Sequence, residues 1–213
     1  MDISQQTKST PNLVIFDLFG TLIKFGEMHH PFRTLMKWAR ENGRAPHRND
    51  ARSLMTRNLS VKGLSDSLGI YPPKTLLQQI VDDIEIELNS LQLYDDVIPV
   101  FNQLTNKGIS IAICSNLAKP YGRAIELLPT NIPYLTCMSY EVGFIKPDPE
   151  IYQWILDKKE VDASQCLFIG DTLHADYYGP ISNGMAAYHL IRGDTPQKGK
   201  IHNLMNIFPI IDK

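Results

Sequence analysis

The sequence predicts an α/β protein with a parallel sheet and one inserted helical segment, and three observations carry that expectation. Short apolar runs alternate with helix-length stretches, Gly or Pro punctuates their ends, and one gap between runs is far longer than a crossover needs. The runs are Leu13 to Phe16, Ile109 to Cys114, Tyr134 to Ser139, Cys166 to Ile169 and Ala186 to Ile191. Each has strand length and ends at a turn or polar residue. Between the later runs lie Asp96 to Lys107, stopped by Gly108; Lys119 to Leu128, stopped by Pro129; Asp148 to Lys159, with Pro149 in its first turn; and Ala175 to Asn183, stopped by Gly184. Strands and helices alternating at this spacing give a parallel sheet covered on both faces.

The first and second runs stand about ninety residues apart, where a crossover needs little more than a dozen. The stretch between them reads as helices at Pro31 to Glu41, around His47 to Asn58, Ser60 to Leu68, and Thr75 to Asn89. Near the last, Leu77, Ile80, Val81, Ile84, Leu88 and Leu91 keep a three-or-four spacing, while Asp82, Asp83, Glu85 and Glu87 read as a solvated face. An all-helical insertion of this size is expected to form a cap over the sheet. The expected organisation is therefore a core of residues 12–23 and 94–213, a helical cap of 24–93 and a flexible polar segment of 1–11.

Composition narrows the class. With 43% hydrophobic and 9% aromatic residues in 213, a disordered, collagenous or disulfide-scaffold protein is excluded. The 21 Lys+Arg against 23 Asp+Glu leave a formal charge of −2, without the basic excess that nucleic-acid binding exploits, so no nucleic-acid partner is expected. Cys114, Cys137 and Cys166 fall in apolar runs with no C-x-x-C spacing and are expected as buried, reduced thiols rather than metal ligands. Met1 to Pro11 lacks an apolar stretch behind a basic start, and no segment approaches the ~18 apolar residues of a membrane span. The expectation is a soluble, cytoplasmic protein with no membrane partner, either a monomer or a homodimer.

The polar residues at the strand ends carry the chemistry. The first run ends in Asp17-Leu18-Phe19-Gly20-Thr21, the second in Cys114-Ser115-Asn116, and the fourth in Gly170-Asp171-Thr172-Leu173-His174-Ala175-Asp176. Lys146-Pro147 precedes the helix that starts at Asp148. Taken singly, each of these is a turn, a helix cap or a surface lysine. Together they place Asp, Ser, Lys and paired Asp residues at the carboxyl edge of one sheet, where open α/β folds bind ligands.

This order of motifs resembles the haloacid dehalogenase-like hydrolase superfamily, in its subclass with a helical cap, over nearly the whole chain. The four motifs look like Asp17 to Thr21, Ser115-Asn116, Lys146-Pro147, and Gly170-Asp171 through Asp176. The resemblance implies a Rossmann-like three-layer α/β sandwich with strand order 5-4-1-2-3 and a cap inserted between the first two motifs, where the spacing also puts the insertion. It implies Mg2+ as cofactor, held by Asp17, the main-chain carbonyl of Phe19 and Asp171, with oxygen ligands suited to a hard cation. Asp176 would support the metal through water, orient Lys146 or ligate directly.

The implied reaction is phosphoryl transfer from a small phosphorylated metabolite. Asp17 attacks phosphorus, and water hydrolyses the aspartyl-phosphate. Lys146 and Ser115 assist catalysis, and Ser115, Asn116, Lys146 and Leu18 bind the substrate. The chain departs from most phosphatases of this family at Phe19, where they carry a second Asp that protonates the leaving oxygen. Such proton transfer typically contributes about 10²- to 10⁴-fold, so slow turnover or a restriction to good leaving groups is expected. His29 or His30, at the entry to the insertion, is the candidate replacement acid, and His174 lies at the rim or on a helix surface. Two alternatives stand beside the phosphohydrolase: a metal-independent 2-haloacid dehalogenase, whose first motif also carries an aromatic here, and a weakly active or non-catalytic phosphate-binding module.

Overall fold

A computed structural model describes residues 10–193 and 200–212 of the chain. The first nine residues of the expected flexible segment lie outside the described residues. Its last two do not hang free, since the Thr10 hydroxyl donates to the Ile211 carbonyl at 3.1 Å and Pro11 is buried.

Strand β1 (Leu13–Phe16) is apolar throughout and wholly buried, as a central strand with both faces covered must be. It pairs in parallel with β4 (Ser110–Ser115) on one side and β6 (Cys166–Gly170) on the other. The edges are β5 (Leu135–Met138) and β7 (Ala186–His189), giving the order β5-β4-β1-β6-β7. Counted among these strands alone and read from the β7 edge, that is fifth, fourth, first, second, third. A detail the sequence reading lacked is a second sheet of two short antiparallel strands, β2 (Ile23–Lys24) and β3 (Gln92–Leu93). This ribbon brings together the two ends of the long segment between β1 and β4.

Helices α1 (Pro31–Glu41), α2 (Asp50–Met55), α3 (Val61–Ser67) and α4 (Lys74–Asn89) fill that segment. In α4 the apolar stripe turns Ile80, Ile84 and Leu88 inward, each burial contributing about 1.5–3 kcal/mol, while Val81 stays exposed. The acidic face is not uniformly solvated. Asp82 is exposed, but Glu87 lies on the inward side at 3% exposure. Its burial is balanced by hydrogen bonds from the main-chain N–H groups of His29 (2.6 Å) and His30 (2.8 Å) and from the Tyr121 hydroxyl.

After β3 come α5 (Val97–Asn106), a 3-10 helix at Lys119–Leu127, α6 (Ser139–Val142) and α7 (Pro149–Lys159). The stretch read as a helix from Lys119 winds as 3-10 over Lys119–Leu127, with Gly122, a poor α-helix former, inside it. The stretch read as a helix from Ala175 is instead a π turn, Leu173–Tyr178, running into α8 (Gly179–Ser182). A final short helix, α9 (Phe208–Ile211), packs its Phe208 and Ile211 into the core. The three cysteines are buried and free, and no helix among the described residues is long and apolar enough to cross a membrane.

Candidate active site

The register of the sheet builds the site. Phe16 is paired with Ile113 on one side and Ile169 on the other, so Asp17, one residue on, stands between the ends of β4 and β6. Its N–H donates to the Ile169 carbonyl at 2.9 Å. Ser115 closes β4, and Gly170-Asp171 closes β6, so all three strand ends meet at the carboxyl edge.

Lys146 reaches into this edge from the loop before α7. Its ammonium, 3% exposed as a residue, donates to Asp17 Oδ1 (2.6 Å), Asp176 Oδ1 (2.7 Å) and the Cys114 carbonyl (2.8 Å), which uses all three of its protons. Burial works against its charge, yet the carboxylates of Asp17 and Asp176 hold its pKa above the ordinary lysine range. The Asn116 amide fixes the lysine's main chain, with Nδ2 donating to the Lys146 carbonyl (2.8 Å) and Oδ1 accepting from the Lys146 N–H (2.7 Å).

The carboxylates have distinct settings. Burial, reinforced by Asp176, pushes the Asp17 carboxyl up to about 7 against the pull of Lys146. Burial likewise raises Asp171, with Asp176 adding to it, although the residue as a whole is exposed. Asp176 is wholly buried, and both its oxygens are engaged: Oδ1 by Lys146 and Oδ2 by the Thr172 N–H at 2.9 Å. The Asp176 N–H in turn donates to the Thr172 carbonyl at 2.7 Å, which closes the loop between the two residues.

Two glycines are required by what lies over them. A Cβ on Gly20, which has φ +81°, would stand 2.0 Å from Asp171 Oδ2, and one on Gly170 would stand 2.4 Å from Asp176. Both approaches are shorter than any real contact, and the first position also has the left-handed backbone that glycine tolerates.

Ligand atoms of Asp17, Asp171 and Asp176 lie within 4.8 Å of one another. The donor set is carboxylate oxygen alone, with no thiolate or imidazole, which suits a hard divalent cation such as Mg2+. A cavity of about 190 Å³ adjoins it, lined by Asp17, Phe19, Ser115, Asn116, Lys146 and Asp176 among others.

The structure thus brings together Asp17, Phe19, Ser115, Asn116, Lys146, Asp171 and Asp176. Leu18, expected as a substrate ligand, is fully buried with its side chain in the core and is not among the residues lining the Asp17 cavity. The histidine pair is not brought in. The His29 ring sits 3.4 Å from Asp83 and 3.5 Å from Glu27, and neither His29 nor His30 lines the Asp17 cavity, since Glu87 ties their main chain to α4. His174 is likewise exposed and outside the lining.

Sequence reasoning missed the far side of Phe19. There the Phe19 ring stacks on Phe25 at 4.8 Å with Tyr121 edge-on at 6.2 Å. The aromatic residues at positions 19, 25 and 32 were the available signal, but nothing in their spacing says that the three line one cavity. Also missed was the bidentate pair of Arg52 on α2 with Asp148 at the start of α7, at 3.0 and 2.5 Å.

Comparison with known proteins shows the fold and the family. Among curated relatives, a phosphoglycolate phosphatase of Aliivibrio fischeri is 30% identical over 182 residues, covering 75% of each chain. A glyceraldehyde 3-phosphate phosphatase of Methanopyrus kandleri is 29% identical over 123 residues, 57% of this chain and 53% of that one, so the chain spans about half the length of that relative. A solved structure of a family enzyme from Bacteroides thetaiotaomicron, in complex with magnesium and inorganic phosphate, shares the fold with a TM-score of 0.59 at 16% identity, covering 87% of this chain and 96% of that one. A family profile, haloacid dehalogenase-like hydrolase, matches residues 11–181, and by that match the chain belongs to the haloacid dehalogenase-like hydrolases.

Proposed function

We propose that this protein is a Mg2+-dependent phosphohydrolase acting on a small phosphorylated molecule, with residues 24–93 as a cap over the core of 12–23 and 94–213. The observation that carries the reading is the buried Lys146 ammonium held between Asp17 and Asp176 at the carboxyl edge of the sheet, with a third carboxylate, Asp171, beside them. The phosphatase names of the relatives support it, as does the magnesium and phosphate in the Bacteroides enzyme.

Asp17, Asp171 and the Phe19 carbonyl would hold the cation. When bound, it supplies positive charge against the repulsion between a carboxylate and a phosphate dianion. Asp17 is the nucleophile: a bond forms from its carboxylate oxygen to phosphorus as the bond to the leaving oxygen breaks, and water then hydrolyses the aspartyl-phosphate. Lys146 orients Asp17 and offers charge to the phosphoryl oxygens, with Ser115 donating to them. Asp176 serves as a positioning residue for Lys146, accepting from its ammonium on one oxygen and from the Thr172 N–H on the other. Asn116 acts in the same way through the lysine's main chain.

An aromatic at position 19 is shared with a dehalogenase reading, but displacement of halide from carbon has no use for three converging carboxylates. The test is hydrolysis of acetyl phosphate and an aryl phosphate with and without Mg2+, with Asp17→Asn as control. Metal-dependent turnover lost in Asp17→Asn is expected. Chloride release from a 2-haloacid in EDTA would replace this reading by dehalogenation, and phosphate-analogue binding with no turnover would replace it by a binding module.

A further inference from the structure

Phe19 and Asn116 line two cavities at once, the Asp17 cavity and an adjoining one of about 320 Å³ lined from both the insert and the core. Phe25, Phe32 and Leu54 line it from the insert, and Leu117 and Tyr121 from the core. Among the described residues, no charged side chain is in its lining. Its polar groups are committed elsewhere: the Asn116 amide at both ends to Lys146, and the Tyr121 hydroxyl to Glu87. The aromatic walls are mutually braced, with Tyr121 edge-on to Phe25 at 6.4 Å and 81° as well as to Phe19.

We infer that this cavity receives the leaving group of the substrate and that the substrate is an aryl phosphate monoester, an inference that rests on the phosphohydrolase reading above. A polyol or carboxylate leaving group would shed water here and find no donor or cation in return. A flat apolar ring loses little hydration and gains stacking and edge contacts. The volume is about twice that of the ~150 Å³ cavity that takes up benzene, enough for a substituted ring or two fused rings.

The chemistry of departure points the same way. The titratable side chains lining the Asp17 cavity are Asp17, Asp176 and Lys146, and every proton of Lys146 is already donated. Phe19, the residue that lines both cavities beside Asn116, carries no proton to give. A phenolate, whose conjugate acid has a pKa of about 10, leaves without one far more readily than an alkoxide. As the Asp17 oxygen bonds to phosphorus, the P–O bond to the ring breaks and its electron pair departs on the phenolate, which solvent protonates. Water then releases inorganic phosphate and restores Asp17.

The test compares kcat/KM with Mg2+ for 2-naphthyl phosphate, acetyl phosphate and glycerol phosphate, in the wild type and in Ala51→Trp. Ala51 lines the cavity from an exposed position on α2, so a large side chain there fills the space without entering the core. The wild type should favour naphthyl over glycerol phosphate by about 100-fold or more, an effect that largely burying an aromatic ring readily supplies. Ala51→Trp should cut the naphthyl-to-acetyl ratio at least about tenfold. Independently of turnover, naphthylmethylphosphonate should compete about 100-fold better than methylphosphonate against the wild type. Acetyl phosphate turnover with equal inhibition by the two phosphonates would overturn the aryl assignment and leave the phosphohydrolase standing. No metal-dependent turnover of any phosphate would remove both.

Discussion

The two cavities that meet at Phe19 are built from opposite materials. On the Asp17 side, Lys146 and Asp176 have every proton and oxygen paired, and the ammonium sits between two carboxylates with a third, Asp171, beside them. On the Phe25 side the walls are apolar and the hydrogen-bonding groups are turned away. The difference teaches a division of labour. Asp17, Ser115 and Asp171 come from the strand ends, where register sets their positions, and Lys146 from the loop before α7, whereas the apolar walls come from the insert's entry, α2 and the stretch after β4. Bond-breaking and recognition can therefore be altered separately.

The largest disturbance to the ionic side should come from Lys146→Met, which leaves Asp17 and Asp176 buried without a counter-charge. The expected loss is about 3–5 kcal/mol at pH 7 by urea unfolding. Carboxyls made harder to ionise by folding destabilise above their unfolded pKa, so the deficit should shrink as pH falls from 7 towards 4. Phe19→Asp attacks the boundary itself. Supplying a proton donor should raise kcat on glycerol phosphate by up to about 100-fold, at the low end of general acid catalysis, while weakening selection for aryl groups. Gly20→Ala should sharpen the assignment of Asp171 as a cation ligand, because the new methyl displaces that carboxylate. The Mg2+ concentration for half-maximal activity should rise about tenfold, with the apolar side untouched.

The smallest effect belongs to the link between the insert and the core. Burial alone would raise the Asp148 carboxyl, but hydrogen bonds from Arg52 and the Ile145 N–H outweigh it and leave the group below its ordinary range. A carboxyl depressed by folding stabilises above its unfolded pKa and stops doing so as pH falls through the folded value. Arg52→Ala should thus cost at most about 1 kcal/mol at neutral pH, since the arginine is 43% exposed, and less in acid. Urea unfolding at pH 7 and pH 3 measures it.

Much of this was legible in the sequence, and the reason is periodicity. Buried parallel strands such as Leu13–Phe16 and Cys166–Gly170 leave unbroken apolar runs, and their terminal Asp, Ser and Gly-Asp residues stand out against them. Three-dimensional closure was not legible. Glu87 reads as one more acid on a charged face because its partners lie 58, 57 and 34 residues away. Asn116 reads as a substrate ligand because the lysine main chain that engages it is 30 residues on. Phe19 reads as a missing acid, and only the rings of Phe25 and Tyr121 beside it make it a wall.

Glu87 ties these parts into a single mechanical linkage. One of its oxygens holds the main chain where the insert leaves the core, and the other holds the hydroxyl of Tyr121, whose ring lines the apolar cavity. A swing of the insert about its β-ribbon root must either carry that ring with it or break a buried hydrogen bond to a carboxylate, at a cost of about 1.5–3 kcal/mol. The position of the insert's entry and the Tyr121 wall of the cavity are therefore coupled through Glu87 for as long as its hydrogen bonds hold.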